Sequence, residues 1–106
     1  MEDCIFCKIV KKEIPSDIIN ETDNLIAIND NNPQADTHIL IIPKQHIRDV
    51  NDLNDLLWTD IKILGLELLK EKGITNFRMT TNAGDEAMVH HMHMHLLSGI
   101  PNDQKI

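Results

Sequence analysis

Met88-Val89-His90-His91-Met92-His93-Met94-His95-Leu96-Leu97 carries four of the six His in the chain. Read as a strand, its side chains alternate between faces. His91, His93 and His95 then share one face, each about 6.6–6.8 Å from the next, and His90, Met92, Met94 and Leu96 take the other. Three imidazoles in a row make a poor core, because each neutral ring brings a donor and an acceptor to satisfy. Two chemistries suit such a face. Imidazole ligates zinc, and three rings with an open position would activate water. Alternatively, a neutral imidazole attacks phosphorus, and its neighbours orient the ring and hold phosphate oxygens. Spacing alone does not choose between them. The three Met of the segment, Met88, Met92 and Met94, read as core packing.

Working outward, Phe77–Thr81 reads as a strand and Asn82–Glu86 as a turn, with Val89–Leu97 the last strand. Further upstream, Leu57, Ile61, Leu64 and Leu68 form one stripe of a helix spanning about Asn54 to Lys72. Asn54 suits its N-cap and Gly73 its C′ position. Gly65 inside it costs about 1 kcal/mol relative to Ala, which points to close packing there. His38-Ile39-Leu40-Ile41-Ile42 reads as a strand buried on both faces and stopped by Pro43. Ile18-Ile19 and Leu25–Ile28, separated by Glu21-Thr22-Asp23-Asn24, read as a hairpin, and Asp30–Pro33 as a loop that Asp30 would shape. Cys4–Val10, ended by Pro15, suits either one helical turn or an irregular lead-in. The order of elements predicts an α+β fold with a mainly antiparallel sheet, residues 1–106 forming one domain.

Composition excludes several classes. At 42% hydrophobic and 25% charged the chain is globular. No apolar run approaches the ~18 residues of a membrane span, and Met1-Glu2-Asp3-Cys4 does not open a secretory signal. A net charge of −7, with no basic cluster longer than Lys11-Lys12, argues against nucleic acid as a partner. The expectation is a cytoplasmic protein with no membrane partner. Cys4-x-x-Cys7 is a redox pair, half of a zinc site, or coincidence. As no second such pair exists, zinc would have to borrow two His.

Taken together, Cys4-Ile5-Phe6-Cys7-Lys8-Ile9, Lys12-Glu13-Ile14-Pro15, the run from Pro33 through Pro43-Lys44-Gln45-His46-Ile47, and His91-x-His93-x-His95-Leu96-Leu97 closely resemble the histidine triad (HIT) family, in its Hint-like branch. The resemblance runs from about Asp3 to Gly99. It implies a short N-terminal helical segment, one long helix, and a homodimer with a continuous sheet across its two-fold axis. It implies a purine nucleotide or nucleoside phosphoramidate as partner, with hydrolysis or transfer at the α-phosphorus through a nucleotidyl-histidine. In that resemblance His93 is the nucleophile, His95 holds an α-phosphate oxygen, and His91 and His38 support the site electrostatically. Asp30 matches the ribose-binding acid, Phe6, Ile9, Ile28 and Asn29 the base pocket, and Asn82 a phosphate-side amide. Cys4, Cys7, His46 and His91 match a zinc site found in some bacterial members. That set is closed, so the metal would be structural.

One departure from the family bears on catalysis. Many Hint-like members carry Gly-Gln-Ser or Gly-Gln-Thr before the triad, where the hydroxyl assists the leaving amine, whereas this chain has Glu86-Ala87-Met88. A nucleotide-binding module with negligible turnover is therefore the second expectation, and a zinc-dependent hydrolase using all three triad His the third. His90 is left without a role.

Overall fold

The computed structural model describes residues 3–106. In chain order the elements are α1 (Ile5–Val10), β1 (Asp17–Glu21), β2 (Leu25–Asn29), β3 (Thr37–Pro43), α2 (Asp55–Glu71), β4 (Arg78–Thr80) and β5 (Met94–Ser98). The strands form one antiparallel sheet in the order β1-β2-β3-β5-β4. This is the expected α+β architecture, and β3 lies at its centre. No helix among the described residues is long and apolar enough to cross a membrane.

The alternation of β3 divides the core in two. Ile39 and Ile41, with Met94 and Leu96 of β5, pack against Leu57, Ile61, Leu64 and Leu68 of α2. Leu40 and Ile42 face the other way, where Phe6 and Ile9 of α1 cover them together with Ile26 and Ile28 of β2. Each fully buried aliphatic side chain of this kind contributes about 1.5–3 kcal/mol. Helix α2 carries the predicted caps: Asn54 Oδ1 accepts from the Leu57 N–H at 2.8 Å, and Gly73 turns the chain at φ 70°. A methyl group at Gly65 would lie 3.2 Å from Met79 Cε and 3.4 Å from Ile41 Cδ1. The glycine thus lets the helix sit directly on β3.

The segment Cys4–Val10 resolves as a helix, with Cys4 Sγ accepting from the Cys7 N–H at 3.4 Å. It ends at Val10, well before Pro15, because Lys12 takes φ 62° and the Glu13 N–H turns back to the Lys8 carbonyl. The hairpin of β1 and β2 carries a bulge between Ile18 and Asn20.

The last strand is shorter than the sequence suggests. Residues 89–93 lie outside the ladder, and pairing with β3 begins at Ile41–Met94. β3 ends at Pro43, which has no N–H to offer. The crossing chain instead anchors to the loop beyond, its Met92 N–H donating to the Ile47 carbonyl at 2.6 Å. Two expectations fail with it. Met88 is 97% exposed instead of packed in the core. His90 is exposed in the bend and lines a hollow with Cys4 and His46, not a core face with Met92.

Candidate functional site

Alternation survives the loss of ladder pairing where it matters. Met92, Met94 and Leu96 enter the core under α2, and His91, His93 and His95 turn to the α1 side. There the backbone dictates the tautomers of His93 and His38, and His38 in turn that of His95. The His93 Nδ1 lies 2.8 Å from the His91 carbonyl oxygen, which can only accept. Nδ1 therefore carries the proton, and Nε2 keeps its lone pair. The Gln34 N–H can only donate, and it donates to His38 Nδ1 at 3.0 Å. That leaves the His38 proton on Nε2, which donates to His95 Nδ1 at 2.9 Å, with Asp30 Oδ2 at 3.4 Å. The His95 proton is in turn displaced to Nε2. One ring thus presents a lone pair and its neighbour, 4.9 Å away between centroids, presents a donor.

Burial keeps these rings neutral. Desolvation pushes His38, His91 and His93 below the ordinary histidine range, against the opposing pull of Asp30 on His38 and of carbonyl hydrogen bonds on His91 and His93. His95 falls to about 4, through burial first and then the neighbouring His93 and His38. A neutral imidazole is the nucleophilic form.

The rings of His38, His93 and His95 open onto a hollow of about 960 Å³. Its apolar wall comes from Phe6 and Ile9 on α1 and from Ile28 and Leu40 on the sheet. Its polar wall comes from Asn29, Asp30, Asn82, His38, His93 and His95. Every residue matched above to nucleotide binding reaches this one space. Asp30 also shapes its turn, Oδ1 accepting from the Asn32 N–H at 2.9 Å, as local chemistry led one to expect. The matched His91 does not line the hollow. Its side chain is fully buried behind Phe6, and its carbonyl reaches the site through His93. Gln34, Thr81 and Ile14 carry no site role on the sequence reading. Ile14 adds to the apolar wall, and Thr81 Oγ1 donates to the His93 carbonyl at 2.8 Å. The backbone role of Gln34 leaves no trace in side-chain identity.

The ring of His91 faces elsewhere. Its Nε2 donates to the Pro43 carbonyl at 2.8 Å, so Nδ1 offers a lone pair, and Cys4 Sγ and Cys7 Sγ lie 3.4 and 3.5 Å from it. His46 Nδ1 is 3.2 Å from Cys7 Sγ, and all four donor atoms fall within 4.8 Å of one another. Tetrahedral zinc with bonds of about 2.0–2.3 Å requires ligand atoms about 3.3–3.8 Å apart, which this set offers with little movement. The fixed His91 tautomer is what such a ligand needs. Burial and the adjacent Cys4 push the Cys7 thiol up, and a bound cation would reverse that direction. Among the described residues, Asp30, His38 and His95 form the other set within ligating distance, while His91, His93 and His95 do not form one together. The imidazoles that sequence spacing allowed as a single metal site point to two different places.

Comparison with known proteins agrees with this geometry. The family model described as "Scavenger mRNA decapping enzyme C-term binding" matches residues 3–104. A purine nucleoside phosphoramidase of Escherichia coli is 43% identical over 108 residues, covering 94% of this chain and 90% of that protein. An uncharacterized HIT-like protein of Synechocystis is 38% identical, covering 94% and 93%. Among solved structures, a HIT family hydrolase from Clostridium thermocellum superposes with a TM-score of 0.91 at 41% identity, covering 100% of this chain and 98% of the other. One from Legionella pneumophila gives 0.87 at 40%, covering 93% and 95%. With the sheet order, the triad and these relatives in agreement, the chain belongs to the histidine triad family.

Proposed function

We propose that this nucleotide-binding hydrolase cleaves purine nucleoside phosphoramidates, or related AMP conjugates, at the α-phosphorus. One observation carries the proposal: the His93 Nδ1–H is committed to the His91 carbonyl, which leaves the Nε2 lone pair beside the hollow. With phosphate against His95 and the base against Phe6, Ile9 and Ile28, Nε2 bonds to phosphorus as the P–N bond breaks. The departing amine takes its proton from water or from another donor lining the hollow, because the thioether of Met88 on that rim has none to give. A second water then displaces the imidazole, releasing AMP and restoring the lone pair. The net charge of −7 opposes a phosphate, so the His95 Nε2–H and the Asn82 amide must supply local donors. The Asp30 carboxylate is suited to accept from both ribose hydroxyls.

Two further readings belong to this proposal. Cys4, Cys7, His46 and His91 hold a structural zinc ion, which supplies a cross-link between distant segments; reduced thiols at that site suit a cytoplasmic protein. The outer face of α2 exposes Leu56, Ile63 and Leu66, and β4 is an open sheet edge, so a second copy joining sheets edge to edge would cover both.

His93→Ala should lower release of amine from adenosine monophosphoramidate by at least about 10³-fold while AMP still binds. Undiminished activity would overturn the proposal. Met88 also favours a second reading, a nucleotide-binding module with negligible turnover. Trapping a nucleotidylated protein in a single turnover would exclude it, and finding none with a bound phosphoramidate would favour it.

A further inference from the structure

The metal tetrad and the nucleotide hollow share a wall. Helix α1 is six residues long, too short to persist alone in water. Among the described residues, the side-chain hydrogen bonds joining positions 4–10 to other segments run through the sulfurs of Cys4 and Cys7, to His46 and His91. Between those cysteines stands Phe6. Its ring meets His93 edge-on at 4.8 Å between centroids and His91 at 6.0 Å. Ile9 follows on the same helix, and both side chains line the hollow. One turn of helix thus presents two thiols to His91 and the wall of the hollow to His93. His91 completes the connection from the other side. Its Nδ1 faces the thiols, and its carbonyl holds the His93 proton.

We propose that metal occupancy of the tetrad and nucleotide occupancy of the hollow are thermodynamically coupled, with Phe6 and His91 as the positioning residues between them. The inference rests on the nucleotide reading given above and adds a mode of regulation. A metal ion that clamps α1 pre-forms the wall against which a base packs, so the nucleotide no longer bears the cost of ordering it. Linkage then requires the reverse: bound nucleotide must tighten the metal by the same factor.

The test uses zinc and AMP on the full chain. AMP affinity is measured by calorimetry on zinc-loaded and chelator-stripped protein, and zinc affinity by competition with a chromophoric chelator, with and without saturating AMP. We expect AMP to bind about tenfold more tightly to the loaded protein, and zinc to tighten by the same factor in the presence of AMP. Equal AMP affinity in the two forms overturns the coupling and leaves the functional reading intact. Absence of AMP binding to loaded protein overturns that reading and the coupling with it. Where stripping unfolds the chain, Phe6→Leu decides. It retains all four metal ligands, so a coupling carried by Phe6 falls below the parent's factor in this variant. A factor equal to the parent's means that global folding alone links the sites, and overturns the proposal.

Discussion

The two faces of β3 and β5 do different work with the same backbone. Toward α2 they present Ile39, Ile41, Met94 and Leu96, all buried among aliphatic side chains. Toward α1 they present His38 and His95, beside Leu40 and Ile42. The α2 face needs only volume and periodicity, and many aliphatic combinations would satisfy it. On the α1 face every polar atom needs an assigned partner, since a buried imidazole without one is costly. Stability should therefore respond to the first face and chemistry to the second.

The sharpest way to break this contrast is to pair one substitution from each face. His93→Ala should reduce phosphoramidate hydrolysis by at least about 10³-fold, a far larger effect than its shift in thermal midpoint. Ile41→Ala should do the reverse, lowering unfolding free energy by about 2–5 kcal/mol in denaturant titration while activity per folded molecule stays near the parent's. If Ile41→Ala silenced the enzyme without destabilising it, the division would be wrong.

A smaller effect comes from pH. His95 is held at about 4 in the folded chain against an ordinary value of 6.5. Between those values the unfolded chain takes up a proton that the folded ring refuses, so stability falls as pH is lowered through that window. His38 and His93 act in the same direction. Thermal unfolding from pH 7 to pH 4 should show this decline, and His95→Gln should make it shallower. An unchanged slope in that variant would place the pH dependence elsewhere.

The smallest effect lies at the α2 face. Gly65→Ala gains about 1 kcal/mol of helix propensity but sets a methyl group 3.2 Å from the mobile end of Met79. The two terms nearly cancel, and the unfolding free energy should move by less than about 1 kcal/mol. Gly65→Leu has no such escape and should cost about 1–3 kcal/mol by overpacking. A clear gain in stability with leucine would show that the α2 contact is looser than the distances indicate.

Much of the fold is legible in the chain. The stripe from Leu57 to Leu68 predicts α2, and Pro43 predicts the end of β3; both follow from local periodicity and backbone chemistry. Residues 89–93 read as strand because His and Met alternate there, yet they pair with no strand, and the Met92 N–H goes to the Ile47 carbonyl in the loop after β3. Period-two patterning reports which way side chains point, not whether a neighbouring strand is present. Cys4–Val10 has no decisive local signal for a related reason: a helix of that length is held by what its thiols and Phe6 touch, not by its own propensity.

The sequence by itself determined the α+β class, the long helix, the central strand and the grouping of His91, His93 and His95 on one side, because each follows from spacing along a regular backbone. Only the tertiary structure decided what those rings do. A carbonyl at His91, an N–H at Gln34 and a carbonyl at Pro43 choose three tautomers. The meeting of residues 4, 7, 46 and 91 turns one ring toward two thiols while its neighbours open onto the hollow. Those partners come from positions far apart in the chain or from backbone atoms common to every residue type. No reading of side-chain identity alone could have assigned them.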